Sequence, residues 1–96
     1  MSDQLIIQQF EGQYNGYKNE MLNVIQSLRE SRGPVEVLEP IQHGNSLSSS
    51  VQILFKRITN EQRHFDPNIK SQLERRKNNA TREWKQLKTT FDELKS

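Results

Sequence analysis

The stretch IQQFEGQYNGYKNEMLNVIQSL, running from Ile7 to Leu28, decides the fold. Its apolar residues include Ile7, Phe10, Tyr14, Tyr17, Met21, Val24 and Leu28, which advance in alternating steps of three and four. At about 3.6 residues per turn this spacing gathers the side chains on one stripe of a helix, whereas a strand would need a step of two. The same rhythm returns at Leu73, Ala80, Trp84, Leu87, Phe91 and Leu94, with Lys77 occupying an apolar slot. A shorter version comprises Leu47, Val51, Leu54, Ile58 and Phe65, with Phe55 beside it. Three amphipathic stripes that must cover one another predict an all-α fold. We expect an antiparallel three-helix up-down-up bundle with left-handed coiled-coil-like packing.

Punctuation residues set the expected boundaries within a single domain spanning residues 1–96. Asp3 is a favoured N-cap, so the first helix is predicted over 3–32. Gly33 and Pro34 then form a stop signal, with glycine free to take a left-handed cap. Gly12 and Gly16 lie on one side of that helix, where either a neighbour approaches closely or the glycines are simply tolerated at a cost of about 1 kcal/mol each. The segment GPVEVLEPIQHGN, residues 33–45, holds two prolines and two glycines and reads as a non-helical linker. Its Val35, Val37, Leu38 and Ile41 are apolar enough to pin it across the bundle. A second helix is predicted over 46–65, with Ser46, Ser48, Ser49 and Ser50 forming its cap and solvated first turn. Asp66 and Pro67, a favoured N-cap followed by a favoured first helical residue, open the third helix, 67–95. That connection is tight, so the second and third helices form a hairpin.

Composition narrows the function. The absence of cysteine removes disulfide and thiolate chemistry. No apolar run approaches the roughly 20 residues needed to cross a bilayer, and the first residues lack the pattern of a signal peptide. The third stripe is still in phase at Leu94, as expected of a domain cut from a longer protein. The net charge of +2 is small but uneven, because most of the lysines and arginines follow Lys56. His43 and His64 have no acidic neighbours at metal-ligand spacing, and the serines have no base nearby. We therefore expect no catalytic, cofactor or metal site. Arg75, Arg76 and Lys77 form the densest basic run. The charge excess is too small for a nucleic-acid binder, so a solvated face or an acidic protein partner is the better reading. Lys70, Arg75, Arg82 and Lys85 are the candidate partner-binding residues.

Two segments resemble a known family. FEGQYNGYKNEM, with Phe10, Tyr14 and Tyr17, looks like the first helix of the N-terminal Habc-like domain of Vti-type SNAREs. DPNIKSQLERRKNNATREWKQLKTTFDELK resembles that family's third helix through Lys70, Leu73, Arg82, Glu83, Trp84, Lys85 and Leu87. The second helix departs from the family pattern, carrying FKRITNEQRHF where an acidic, methionine-containing stretch is usual. The resemblance implies a monomeric, non-catalytic domain that binds trafficking adaptors or other SNAREs. It further implies a place on the cytoplasmic face of Golgi or endosomal membranes, held by a C-terminal anchor absent from this chain. The rival reading is a small self-assembling helical protein or chaperone of a bacterial secretion system or phage. Against it, Trp84 is followed by Lys85 and Gln86 in mid-helix, without the WxG turn of one such family.

Overall fold

A computed structural model of the protein describes residues 4–96. The described residues form three helices and no strand: α1 (Gln4–Glu30), α2 (Leu38–Glu61) and α3 (Pro67–Lys95). A short 3-10 turn, Gln62–His64, joins α2 to the residues before α3. The expected N-cap Asp3 lies outside the described residues. The molecule measures 51 × 21 × 16 Å, close to the length of its longest helix.

All three stripes meet in one core. Ile7, Phe10, Tyr14, Met21, Val24, Ile25 and Leu28 from α1 face Leu47, Val51, Leu54 and Ile58 from α2 and Ile69, Leu73, Ala80, Trp84 and Phe91 from α3. Tyr17, Phe55, Phe65, Leu87 and Leu94 pack around it, partly buried. Each large apolar side chain taken from water contributes about 1.5–3 kcal/mol, which is why the stripes and not local propensity hold the helices together. An aromatic cluster draws on every helix. Tyr14 stacks at 6.4 Å from Phe10, tilts at 6.0 Å from Phe55 and meets the edge of Trp84 at 6.5 Å.

The segment expected to be a linker is largely helical. α2 starts at Leu38 rather than near Ser46, so most of 33–45 belongs to it. Pro40 is the third residue of the helix, where an amide N–H has no intrahelical acceptor, so proline removes no hydrogen bond. Gly44 lies in the second turn, buried directly beneath the ring of Phe91. A Cβ at this position would overlap the ring atoms Cε1 and Cζ. Close approach therefore occurs at Gly44 and not at Gly12 or Gly16, which have nothing within 4 Å of where a Cβ would stand. Gly33 also departs from expectation, since no described residue has a positive φ. The chain leaves α1 instead through Ser31, whose N–H donates to Leu28 O and whose hydroxyl donates to Ser27 O at 2.7 Å.

The early start of α2 moves the serines into mid-helix, so they do not cap it. Ser46 and Ser49 face solvent, while Ser48 is buried with no hydrogen-bond partner for its hydroxyl among the described residues. The helix also ends earlier than expected, at Glu61, and Phe65 follows the 3-10 turn in extended backbone. Asp66 caps α3 as its residue type predicts. Its Oδ1 accepts from Asn68 N at 2.9 Å and Ile69 N at 3.1 Å, with Pro67 at the first helical position.

Candidate interaction surface

The charges of α3 divide by position around the helix. Residues flanking the buried stripe reach other helices or their own carboxylates. Arg76 pairs with Glu11 of α1, and Lys77 Nζ donates to Thr59 Oγ1 of α2 at 2.9 Å. The stem of Lys77 is half-buried in its apolar slot while its ammonium escapes sideways to that hydroxyl. Lys88 pairs with Asp92 at 3.0 Å, and Lys95 bridges Asp92 at 3.4 Å and Asn45 of α2 at 3.3 Å. Hydrogen bonding by Lys88 is the chief reason the Asp92 carboxyl is held below its ordinary range, with Lys95 adding to it.

Lys70, Arg75, Arg82 and Lys85 behave differently. All four are exposed, and none has a carboxylate within ion-pairing distance among the described residues. Arg82 donates only to Asn79 on its own helix. At about 100° per residue, Arg75, Arg82 and Lys85 fall on one solvent-facing line. Lys70 lies about 100° round from that line, on the side where Lys77 and Lys95 reach α2. Three of the four predicted residues thus share a face. A shallow hollow along that face is lined by Ser71, Glu74, Arg75, Asn78, Asn79 and Arg82.

The α1–α3 seam carries a polar network that spacing did not reveal. Tyr14 Oη donates to Glu83 Oε1 at 2.6 Å, and Lys18 Nζ stands 3.6 Å from the same carboxylate. Burial is the main cause that pushes the Tyr14 phenol well above its ordinary value, and the adjoining Glu83 carboxylate reinforces it. The Tyr14 hydroxyl therefore meets an acid from another helix. In the sequence Glu83 stands beside Trp84, one position off the buried stripe, which puts it near the seam but does not name its partner.

At one end of the molecule, α1 and α2 enclose an open cleft of about 560 Å³ lined by Asn23, Ser27, Glu30, Glu36, Glu39 and His43. His43 Nε2 lies 3.4 Å from Glu20 Oε1. Among the described residues, no three His, Cys, Asp or Glu side chains converge as a metal site would require. No described helix is long and apolar enough to cross a membrane. Fold and surface together define a class: a three-helix protein with a cationic outer face on its third helix. No known family matches the chain, and neither a characterised protein nor a solved structure gives a match.

Proposed function

We propose that this chain is a protein-interaction domain of the SNARE N-terminal type, which catalyses nothing and binds trafficking adaptors or SNARE helices during intracellular vesicle fusion. The observation that carries this reading is the division of charge on α3. Its flanking cations are engaged within the fold, while Arg75, Arg82 and Lys85 face solvent with no carboxylate. Exposed cations with unused hydrogen-bonding capacity steer and select acidic partners.

An up-down-up arrangement with left-handed packing suits the reading. The up-down-up course is supported by the order of contacts, in which Gln13 and Glu20 of α1 meet Arg57 and His43 of α2, a reversed sequence. Asn45 and Thr59 of α2 meet Lys95 and Lys77 of α3, again reversed. Glu11 and Tyr14 of α1 meet Arg76 and Glu83 of α3 in the same order. The resemblance to Vti-type SNAREs in the first and third helices supplies the site of action, the cytoplasmic face of Golgi or endosomal membranes.

The test is titration of purified SNARE helices and adaptor domains with the wild-type chain and with a variant carrying Glu at positions 70, 75, 82 and 85. Loss of binding in the variant supports the reading, and unchanged binding refutes the site. A second reading, self-assembly, is favoured by Val35 and Leu38 at one end of the molecule, 78% and 57% exposed. Light scattering separates the two. A monomer across concentrations supports the regulatory domain, whereas growth in mass with concentration supports assembly.

A further inference from the structure

The cationic face of α3 has a finer order than charge alone. Ser71, Arg75, Asn78, Arg82, Lys85 and Thr89 advance in steps of four and three, and every one is exposed. This is the spacing of the buried stripe repeated on the opposite side of the same helix. Such a heptad line runs almost straight along a helix, drifting by about 20° per repeat, and spans about 27 Å from residue 71 to residue 89. We propose that this line is a docking track for an acidic α-helix of a partner protein, laid along α3 in heptad register. The inference rests on the interaction-domain reading and names its occupant.

Three observations choose a helix over other polyanions. First, cations free of carboxylates recur in heptad register along this line, whereas Arg29, Lys56 and Lys70 stand singly elsewhere. The outer face of α1 presents Gln8, Gly12, Asn19, Asn23 and Gln26 and ends at Glu30, and that of α2 presents Glu39, Gln42, Ser46, Ser49, Ile53 and Asn60, with Lys56 its single cation. A nucleic-acid duplex is wide and would find cations along one edge of the molecule only. Second, the large exposed apolar residues are Leu5, Leu22, Val35, Leu38 and Ile53, none of them on α3. A lipid surface would meet three cations with no apolar face to insert beside them. Third, the line mixes Arg forks, which match carboxylates in bidentate fashion, with Ser, Asn and Thr at intervening positions. That pattern suits a partner whose acids are spaced and not continuous. Glu74 beside the line repels acids at its near end, so the partner's carboxylates fall opposite Arg75, Arg82 and Lys85.

The test uses the whole chain and two designed helical peptides of identical composition. In one, Glu residues repeat every three and four positions along one face. In the other, the same Glu residues are spread around the helix. Fluorescence anisotropy measures binding of each, alongside a DNA duplex and phosphatidylserine vesicles. The striped peptide is expected to bind at least tenfold more tightly than its isomer, the duplex or the vesicles. Arg75→Glu with Arg82→Glu is expected to weaken it by more than tenfold, and Arg29→Glu on exposed α1 surface to leave it unchanged. Equal binding of the two peptides overturns the helical track while leaving the interaction-domain reading standing. Tighter binding to duplex or vesicle overturns it in favour of that polyanion. Indifference to the double reversal overturns the site itself, which the adaptor titration would show independently.

Discussion

Pro67 and Pro40 each sit in the first turn of a helix, but the start of α3 is fixed by its immediate neighbours and the start of α2 by a ring from another helix. At α3, Asp66 accepts two backbone hydrogen bonds and its extended backbone aims the carboxylate at the free amides. At α2, Val37 precedes the helix with φ −86° and ψ −13°, already helical backbone, and its side chain caps nothing. What holds that end is burial, with Gly44 beneath Phe91 and with Val37 and Ile41 against the core. One helix start is written locally and the other is imposed by packing, so different changes should undo them.

The largest effect is expected where packing does the holding. Phe91→Ala should cost about 3–5 kcal/mol, as deletion of a fully buried ring does. Gly44→Ala should cost about 1–3 kcal/mol, because the new methyl has no room beneath that ring. In a Phe91→Leu background, which lacks Cε1 and Cζ, the cost of Gly44→Ala should shrink towards zero or reverse, since alanine favours a helix over glycine by about 1 kcal/mol. Urea denaturation of the four proteins completes the cycle, and an equal cost in both backgrounds would mean that the Phe91 ring is not what fixes the start of α2. Gly12→Ala and Gly16→Ala, with open space around them, should instead stabilise by about 1 kcal/mol each.

The locally written start should respond more modestly. Asp66→Ala removes a cap and is expected to cost about 1 kcal/mol, with faster amide exchange confined to the first turn of α3. Val37→Asp should bring no gain in Tm, because side-chain caps require the extended backbone that residue 37 lacks. A gain there would mean that α2 was merely missing a cap.

A smaller effect tests a third region independent of both starts. The folded state raises the Tyr14 pKa, so its contribution is complete below the ordinary value of 10.0 and is lost as pH climbs above it. Tm measured from neutral pH to pH about 11 should fall more steeply in the wild type than in Tyr14→Phe. Amide protection at the starts of α2 and α3 should hardly change in this comparison. Identical slopes would remove Tyr14 as the cause.

The same division explains what could be read from sequence. The start of α3 at Pro67 was legible because Asp66 and Pro67 act on adjacent residues, and the apolar stripes were legible because period is a local property. The start of α2 was not, because Pro40 and Gly44 look like breakers until their positions within a helix are known. Gly44 in particular is explained by Phe91, which lies far away in the chain. The exposure of Arg75, Arg82 and Lys85 followed from their places off the stripe. Their separation from Lys70 needed the angular bookkeeping of a real helix, and the freedom of these cations needed knowledge of which acids were already engaged. Tyr14 with Glu83 was out of reach, since it depends on the register of helices whose partners are 69 residues apart.

That distance also bears on how quickly the protein reaches its native state. Short connections, residues 31–37 and 62–66, place α1 beside α2 and α2 beside α3, so two of the three interfaces arise between chain neighbours. Low contact order of this kind belongs to helical proteins that fold in microseconds to milliseconds. The interface between α1 and α3 is the exception, closing over the whole intervening hairpin. The bond from Tyr14 to Glu83 is therefore expected to form late, after the transition state for folding, and its removal should speed unfolding while leaving the folding rate nearly unchanged.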